Sequence, residues 1–279
     1  MPDRASTPDR ATVPATATTA APATAEVPAQ ASPHAQASRA ARLAAENVLP
    51  ARSIADVRLA RHVAGPMCPL CAVRQDAVER AMDSLLAESV NDPATRDQLD
   101  QARGYCPEHI GQLLRRDRSA SGGTSGSAIL FGAILSVRLA ELDGLPATRG
   151  RGRSRRLEAA ARPPACTFCD RARQAEGLAS ASLVGLMTDA AWSGALARAE
   201  FCLRDLLIIW AAVAGAARQF QIEFEPIAAA QLGRLNELAQ AVQAFAHNSS
   251  YDRRHLVTDE QRLASGRAGA VLGGKDTIP

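Results

Sequence analysis

Aromatic residues and runs of β-branched residues are scarce in this chain. Phe, Trp and Tyr together make up only 4% of the 279 residues. Ala, Leu, Arg, Glu and Gln dominate instead, and these residue types favour helices. The sequence therefore predicts an all-α fold.

Long hydrophobic runs are also missing. The longest apolar stretch, LLIIWAAVAGAA, covers residues 206–217 and lies between Asp205 and Arg218. A bilayer core of about 30 Å needs roughly 20 apolar residues, so this stretch predicts a buried core helix and no membrane span. The N-terminal residues lack the apolar segment of a secretory signal. We therefore expect a cytoplasmic protein, in which six cysteines indicate metal or thiol chemistry rather than disulfides.

A strong net charge is absent too. The formal charge is only +3, and Lys275 is the single lysine. Five arginines are nevertheless concentrated in one segment: Arg149, Arg151, Arg153, Arg155 and Arg156. Such a cluster can bind nucleic acid, but no aromatic residues are interleaved with these arginines. A solvated linker is the favoured interpretation, and a nucleic-acid partner is not expected.

Sequence patterns of hydrolytic and phosphate-binding sites are lacking as well. The chain contains no GxSxG, HExxH or GxxxxGK[ST] sequence. These patterns mark a serine nucleophile, a catalytic zinc site and a phosphate-binding loop, respectively. We therefore predict no catalytic residues, which favours a protein that is not an enzyme.

Composition and periodicity indicate how the chain is organised. Residues 1–40 are rich in Ala, Thr, Pro and Ser, which predicts disorder. Two later stretches, 119–127 and 145–165, predict loops, the second of them flexible and basic. Elsewhere apolar residues recur three and four positions apart, as in amphipathic helices. This period predicts helices over 68–90, 94–103, from 106 onward, and over 128–142, 166–188, 190–199, 203–222 and 227–246.

The two halves of the chain are similar in sequence. CPLCAVRQDAVERAMDSLLAES from residue 68 aligns with CTFCDRARQAEGLASASLVGLM from residue 166, and YCPEHIGQLL from 105 aligns with FCLRDLLIIW from 201. This correspondence predicts a duplicated helical unit. The expected segments are a first metal-binding repeat (55–118), a linker with a bridging helix and a basic loop (119–165), a second, degenerate repeat (166–247) and a polar tail (248–279).

A CxxC and a CxxH in the first half provide four metal-ligand side chains: Cys68, Cys71, Cys106 and His109. Three thiolates and one imidazole form a closed tetrahedral set for structural Zn²⁺. Pro69 and Pro107 follow the leading cysteines. Because proline favours the first helical position, Cys68 and Cys106 are expected to be N-cap residues. Two positive helix ends would then stabilise thiolates around one zinc ion.

The second half offers a weaker set. Cys166, Cys169 and Cys202 are present, but Asp205 stands where His109 stands in the first half. Aspartate can ligate zinc, yet a carboxylate in the first turn of a helix is also a good partner for the helix dipole. His247 or His255 could supply the fourth ligand instead, or the three cysteines could be buried without metal. The sequence thus predicts one zinc ion and leaves a second one open.

Three elements of the chain resemble a bacterial family catalogued as domain of unknown function 6062. They are CPLC from residue 68, ESVNDPATRDQL from residue 88 and GYCPEHIGQLL from residue 104. The resemblance runs from about Met67 to the C-terminal region. It implies that Cys68, Cys71, Cys106 and His109 match the metal positions of the family, and that Cys166, Cys169 and Cys202 match a second set. Similar proteins commonly have histidine where this chain has Asp205. The resemblance implies an architecture but no activity.

Two classes of function remain open at this stage. The first is a zinc-stabilised helical protein that binds a protein partner or a second copy of itself. The second is a thiol-redox, metal-sensing or iron–sulfur protein, because a CxxC at a helix N-terminus also activates thiolates. The helical context does not match a thioredoxin-like fold, and histidine suits zinc better than a four-thiolate cluster. The first class is therefore the preferred hypothesis.

Overall fold

The computed structural model describes residues 49–143 and 150–274, except for the side chain of residue 121. These residues form eleven α-helices and no strand, which confirms the predicted all-α fold. The predicted disorder of residues 1–40 lies outside the described residues. The helices are α1 (Ile54–His62), α2 (Pro69–Ser84), α3 (Pro93–Ala102), α4 (Pro107–Ser121), α5 (Ser125–Leu142), α6 (Arg151–Ala161), α7 (Thr167–Leu186), α8 (Ala190–Arg198), α9 (Leu203–Ala214), α10 (Arg218–Asn248) and α11 (Asp259–Gly273). A π-helical turn, Leu85–Ser89, extends α2, and a 3₁₀ turn, Arg254–Leu256, precedes α11.

Local sequence signals set many of the helix ends. Ser53 and Thr258 form capping boxes at the starts of α1 and α11, and the Asp92 carboxylate accepts a hydrogen bond from the backbone N–H of Thr95 at the start of α3. Each of these caps pairs a backbone donor that the helix itself leaves unpaired. Gly122 ends α4 with a φ of 68°, a left-handed conformation that glycine adopts without a steric penalty.

Helices α2 and α7 form the centre of the molecule and run antiparallel. Val73 near the start of α2 shares a buried cluster with Leu183 near the end of α7. Met82 near the end of α2 shares a second cluster with Phe168 at the start of α7. The N-termini of the two helices consequently lie at opposite ends of the pair.

The buried apolar side chains form two clusters along this pair. One surrounds the start of α2 and includes residues of α1, α7, α8, α9 and α10, with Trp192 fully buried and its indole N–H donating to the Pro50 carbonyl over 2.8 Å. The other surrounds the start of α7 and includes residues of α2 to α5, with Leu113 and Leu130 fully buried. Each cluster takes side chains from both halves of the chain. The division into two repeats stays a prediction.

The basic segment 145–165, expected to be a loop, contains helix α6. None of its side chains is buried, so apolar packing does not explain it. The Arg103 guanidinium donates to the carbonyls of Ala159 and Ala160 over 2.6 and 3.0 Å, and Arg138 donates to the Ala160 carbonyl over 2.6 Å. Two cations from other helices thus pair the C-terminal carbonyls of α6 and complement the negative end of its dipole.

The expected break between residues 222 and 227 was also wrong. Helix α9 ends at Ala214, and α10 continues through Pro226. Proline removes one backbone hydrogen bond from a helix interior. The buried side chains Phe224 and Ile227, on either side of Pro226, hold α10 against the core, and Gln231 donates to the carbonyls of α8 and the residue after it. Tertiary packing therefore outweighs the local signal. In the expected polar tail, residues 259–273 form α11.

Helix α5 is apolar and lies largely on the surface. By length and composition it could cross a membrane, and it is the only such helix in the part of the chain that the structure describes. Its mean hydropathy is 1.4, and 11% of it is buried. A single helix of this kind is weak evidence for a membrane span. Ser127 and Leu130 on its inner face are fully buried against the core.

Candidate metal centres

The structure brings the eight candidate ligand residues together in two clusters of four. Centre A consists of Cys106, His109, Cys166 and Cys169, and centre B consists of Cys68, Cys71, Cys202 and Asp205. Within each cluster, the ligand-type atoms all lie within 4.8 Å of one another. Four donors at such distances are a candidate metal site.

The grouping differs from the one expected from the order of the chain. The sequence interpretation joined Cys68 and Cys71 to Cys106 and His109, but the structure joins each CxxC to the later motif of the other half. The antiparallel α2–α7 pair explains this exchange. The N-terminus of α7 lies beside that of α4, whereas the N-terminus of α2 lies at the opposite end of the pair, beside that of α9.

All eight residues occupy the same two positions at the starts of helices. The leading cysteines Cys68, Cys106, Cys166 and Cys202 are the N-cap residues of α2, α4, α7 and α9. The partners Cys71, His109, Cys169 and Asp205 stand three residues later, in the first turn. The expected N-cap positions of Cys68 and Cys106 are thereby confirmed. Each centre receives two positive helix ends, which stabilise negative charge on its donors.

Centre A is arranged around the His109 ring. Its Nδ1 atom lies 3.1 Å from Cys106 Sγ, 3.4 Å from Cys166 Sγ and 3.4 Å from Cys169 Sγ. Cys106 Sγ and Cys169 Sγ are 3.7 Å apart. A single proton on Nδ1 can satisfy only one of the three sulfurs, whereas one ion among them satisfies all four donors.

Centre B has the same form, with Asp205 in the place of the histidine. The Asp205 Oδ2 atom lies 3.1 Å from Cys68 Sγ and 3.3 Å from Cys71 Sγ. Cys71 Sγ and Cys202 Sγ are 3.7 Å apart. All four residues are buried, and Asp205 is fully buried.

These spacings fit a single tetrahedral ion. A Zn–S bond of about 2.3 Å places two sulfurs on a tetrahedron about 3.8 Å apart. Cys71 Sγ and Cys202 Sγ in centre B, and Cys106 Sγ and Cys169 Sγ in centre A, are both 3.7 Å apart. In both centres the donors are of the types that zinc prefers.

Burial and mutual contact shift the pKa values of all four donors at centre B. Burial raises the pKa of Asp205 to about 6, and the Cys68 thiol adds to this rise. Contact with Cys202 raises the pKa of both Cys68 and Cys71, whereas hydrogen bonds from these two thiols lower the pKa of Cys202 to about 4. Near pH 7 and without a cation, these pKa values leave Cys202 and Asp205 ionised and keep Cys68 and Cys71 protonated. A bound dication would favour ionisation of these two thiols as well.

The same crowding affects centre A. Burial, together with contact with Cys106, raises the pKa of Cys169 to about 12. A thiol of this kind is poorly ionised by itself, and a metal ion is the usual way to hold it as a thiolate.

A partly buried ionic network surrounds centre B and was not predicted from the sequence. The Arg74 guanidinium donates to Cys71 Sγ over 2.9 Å and to Glu176 over 2.7 Å. Arg204 donates to Asp205 Oδ1 over 2.9 Å and also pairs with Glu176. Three thiolates and a carboxylate around a dication leave two negative charges, whereas three thiolates and an imidazole leave one. The arginines lie beside the centre with the larger excess.

One sequence signal could have identified Arg74, since it lies one helical turn after Cys71. No comparable signal marks Gly274, whose carbonyl oxygen lies 2.5 Å from Cys71 Sγ. Gly274 ends α11 with a φ of 65°. A Cβ atom there would lie 3.4 Å from Cys202 Sγ and 3.6 Å from Cys71 Sγ. The C-terminal end of α11 thus covers centre B, and the backbone of Gly274 can approach the two sulfurs because glycine has no side chain.

The other histidines considered as ligands lie elsewhere. His247 is exposed and contacts Arg253, and His255 is exposed as well. Among the described residues, Asp205 therefore stands where the fourth donor of centre B is needed.

The comparisons with known proteins agree with the resemblance inferred from the motifs. The model of a family described as "Family of unknown function (DUF6062)" matches residues 60–140. This match includes the CxxC of centre B and the CxxH of centre A, and it ends before the second half of the chain. Nothing among the curated proteins or the solved structures matches this chain.

The exchanged grouping can be tested by counting bound metal in paired variants with native mass spectrometry. Cys106→Ala/Cys166→Ala removes two ligands of centre A and should lower the count by one ion. Cys68→Ala/Cys106→Ala removes one ligand from each centre and should lower it by two. The grouping by chain order requires the reverse result, so the two pairs serve as controls for each other.

Covering of centre B by Gly274 can be tested with Gly274→Val. The added side chain should push against Cys202 and Cys71, so these thiols should be alkylated several times faster than in the parent, measured by peptide mass spectrometry. Gly122→Val is the matched control. It has a similar positive φ, and a Cβ there meets no atom of the described chain within 4 Å. Equal alkylation rates in the two variants would show that backbone strain, and not contact with the thiols, is the cause.

Proposed function

We propose that centres A and B each bind one structural zinc ion, and that the chain is a metal-stabilised helical protein that acts by binding another protein surface and not by catalysis. The observation that carries this proposal is the pair of four-donor sets built on helix N-termini, with centre B buried and centre A partly buried. A structural zinc site has four protein donors, whereas a catalytic one leaves a position open for water or substrate. Both sets here supply four.

The exchange of motifs gives the zinc ions a structural task. Each ion would join a helix from the first half to a helix from the second. Structural zinc contributes about 10 to 16 kcal/mol of apparent binding free energy in small zinc peptides. Energy of this size would hold the halves of the chain together even though each buried cluster contains few aromatic side chains.

An iron–sulfur or redox role is the alternative, and the geometry favours it less. In a cluster with several irons the cysteines bind different metal atoms, so their sulfurs lie farther apart than two ligands of one ion. Each centre also contains one donor that is not a thiol. None of the six cysteines forms a disulfide in the structure, and each has a donor from another helix in its centre.

The metal proposal is tested by elemental analysis and native mass spectrometry of the full chain purified without chelator. We expect two zinc ions per chain, no visible absorbance, and a melting temperature that falls by more than about 10 °C after chelation. Chelated protein that melts like the parent would contradict a structural role. Iron with visible absorbance would move the redox alternative to first place.

The partner that the surface supports best is a second copy of this chain, bound through α5. Five exposed residues follow a spacing of four and three along this helix: Ala128, Gly132, Leu135, Leu139 and Leu142. Leu135 and Leu139 are 60% and 64% exposed. This spacing is the seam of a coiled coil, and small residues in it allow two helix backbones to approach closely. On the same helix, Arg138 pairs with Glu141, which also accepts from Arg103.

Self-association through α5 is tested with Leu135→Glu/Leu139→Glu in light scattering coupled to gel filtration. The parent should form a dimer and this variant a monomer. Leu207→Glu/Ile222→Glu is the control, since it adds the same charges at two other exposed apolar positions, 57% and 54% exposed, and should leave the dimer intact. A monomeric parent would contradict the proposal. So would binding of the parent to lipid vesicles that the α5 variant loses, because α5 would then contact a membrane.

A further inference from the structure

A cleft of about 530 Å³ opens beside the central helix pair, and none of the eight candidate ligand residues lines it. Its walls come from α1, α2, α3 and α7 and from the π-helical turn Leu85–Ser89. Small-molecule sites typically have volumes of about 300 to 1,000 Å³. The cleft is therefore large enough for a molecule of the size of a substituted naphthalene or a nucleotide.

Charge of one sign lines this cleft. Arg58, Arg80 and Arg171 lie in its walls, and its described lining contains no carboxylate. The whole chain has nearly as many acidic as basic residues, so a lining with three arginines alone departs strongly from the average surface. Positive charge focused in a concave site attracts anions.

Two of these three arginines are not neutralised by the protein. Arg80 pairs with Asp76 over 3.3 Å. In the part of the chain that the structure describes, Arg58 and Arg171 form neither an ion pair nor a side-chain hydrogen bond. Arg58 is half-buried and Arg171 is exposed. Two guanidinium groups with free donors are suited to bind a phosphate or carboxylate through paired hydrogen bonds.

The rest of the lining suits an uncharged part of the same ligand. Leu178 provides exposed apolar surface, and behind it the nearly buried side chains of Leu85, Leu99, Tyr105 and Phe168 close the inner wall. The two aromatic rings are 4.6 Å apart. Neutral hydrogen-bonding groups, among them Gln98 and Gln174, complete the walls. Polar and apolar side chains are thus mixed in the walls, with the polar ones in the majority.

The π-helical turn is a second, independent indication. Leu85 and Ser89, its first and last residues, both line the cleft. π-Helical turns are rare and occur frequently at functional sites, since the extra residue per turn widens the helix and redirects its side chains. Here that local irregularity lies in the wall of the cleft with the arginines.

We propose that this cleft binds a small organic anion that carries a phosphate or carboxylate group on an apolar, flat body. Arg58 and Arg171 hold the anionic group, and the leucine and aromatic side chains contact the body. The inner wall of the cleft is also close to centre A: Phe168 lies between two of its cysteines in sequence, and its ring is 5.7 Å from that of His109. A molecule bound in the cleft would thus lie next to Phe168, which packs on the candidate ligand His109.

The test uses the full chain and four probes that separate charge from apolar body: 1-naphthyl phosphate, 1-naphthoate, 1-naphthol and inorganic phosphate. Binding is followed by calorimetry and naphthalene fluorescence. We expect 1-naphthyl phosphate or 1-naphthoate to bind with a Kd below about 1 mM, and the tighter of the two identifies the preferred anionic group. The neutral alcohol and the bare phosphate should each bind at least about tenfold more weakly. Equal binding of 1-naphthol or of inorganic phosphate would overturn the proposal.

The location is tested with Arg58→Gln/Arg171→Gln, which should weaken binding of the tighter probe at least about tenfold. Arg115→Gln/Arg118→Gln removes the same charge from α4, outside the cleft, and should change the Kd less than twofold. Arg171→Gln alone, at an exposed position, gives a second measurement if the double variant folds poorly. An equal loss in the α4 control, or no loss in the cleft variants, would overturn the proposal. Metal content should not change in any of these variants, so a failure here is distinguishable from a failure of the zinc proposal.

Discussion

The meeting of helix N-termini in pairs is the constraint on which the rest of this structure depends. Four helices start with a cysteine at the N-cap and a second donor three residues later, and each start needs a partner to complete four donors. Two starts brought together also bring two positive dipole ends together, which is unfavourable until negative charge lies between them. Thiolates and a carboxylate provide that charge. The antiparallel α2–α7 pair then decides which starts can meet.

The two centres differ in the negative charge of their donors and in the groups that offset it. At centre A the imidazole of His109 keeps the donor set less negative, and none of the described arginines hydrogen-bonds to its ligand atoms. At centre B the carboxylate of Asp205 adds a charge, and Arg74 and Arg204 lie against the donors with Glu176 between them. Removing either arginine would leave the buried carboxylates of Asp205 and Glu176 with one cationic partner fewer, which is unfavourable. The aspartate at the position of the histidine is thus accompanied by two arginines, Arg74 and Arg204, that pair with it.

The sequence predicts features that depend on neighbouring residues, such as the helix N-caps, but not features that depend on contacts between distant parts of the chain. The cysteine N-caps follow from Pro69 and Pro107, and the donors in the first turn follow from their spacing. Local spacing carries no information on which two helix starts meet, so the grouping could not be derived from it. Helix α6 was missed for the same reason, since its C-terminal carbonyls are paired by Arg103 and Arg138 from other helices. The continuity of α10 through Pro226 depends on packing of residues that are distant in the chain.

The exchanged grouping also has a consequence for the order of assembly. The donors of centre A are joined across 57 to 63 residues, and those of centre B across 131 to 137 residues. The shorter connection lies entirely inside the longer one. Closing the inner loop first shortens the chain that the outer loop must close, and this lowers its entropic cost. During synthesis, the donors of centre A are complete once Cys169 has emerged, whereas centre B waits for Asp205 and its cover waits for Gly274. The nesting of one loop in the other thus favours growth of the fold outward from its middle.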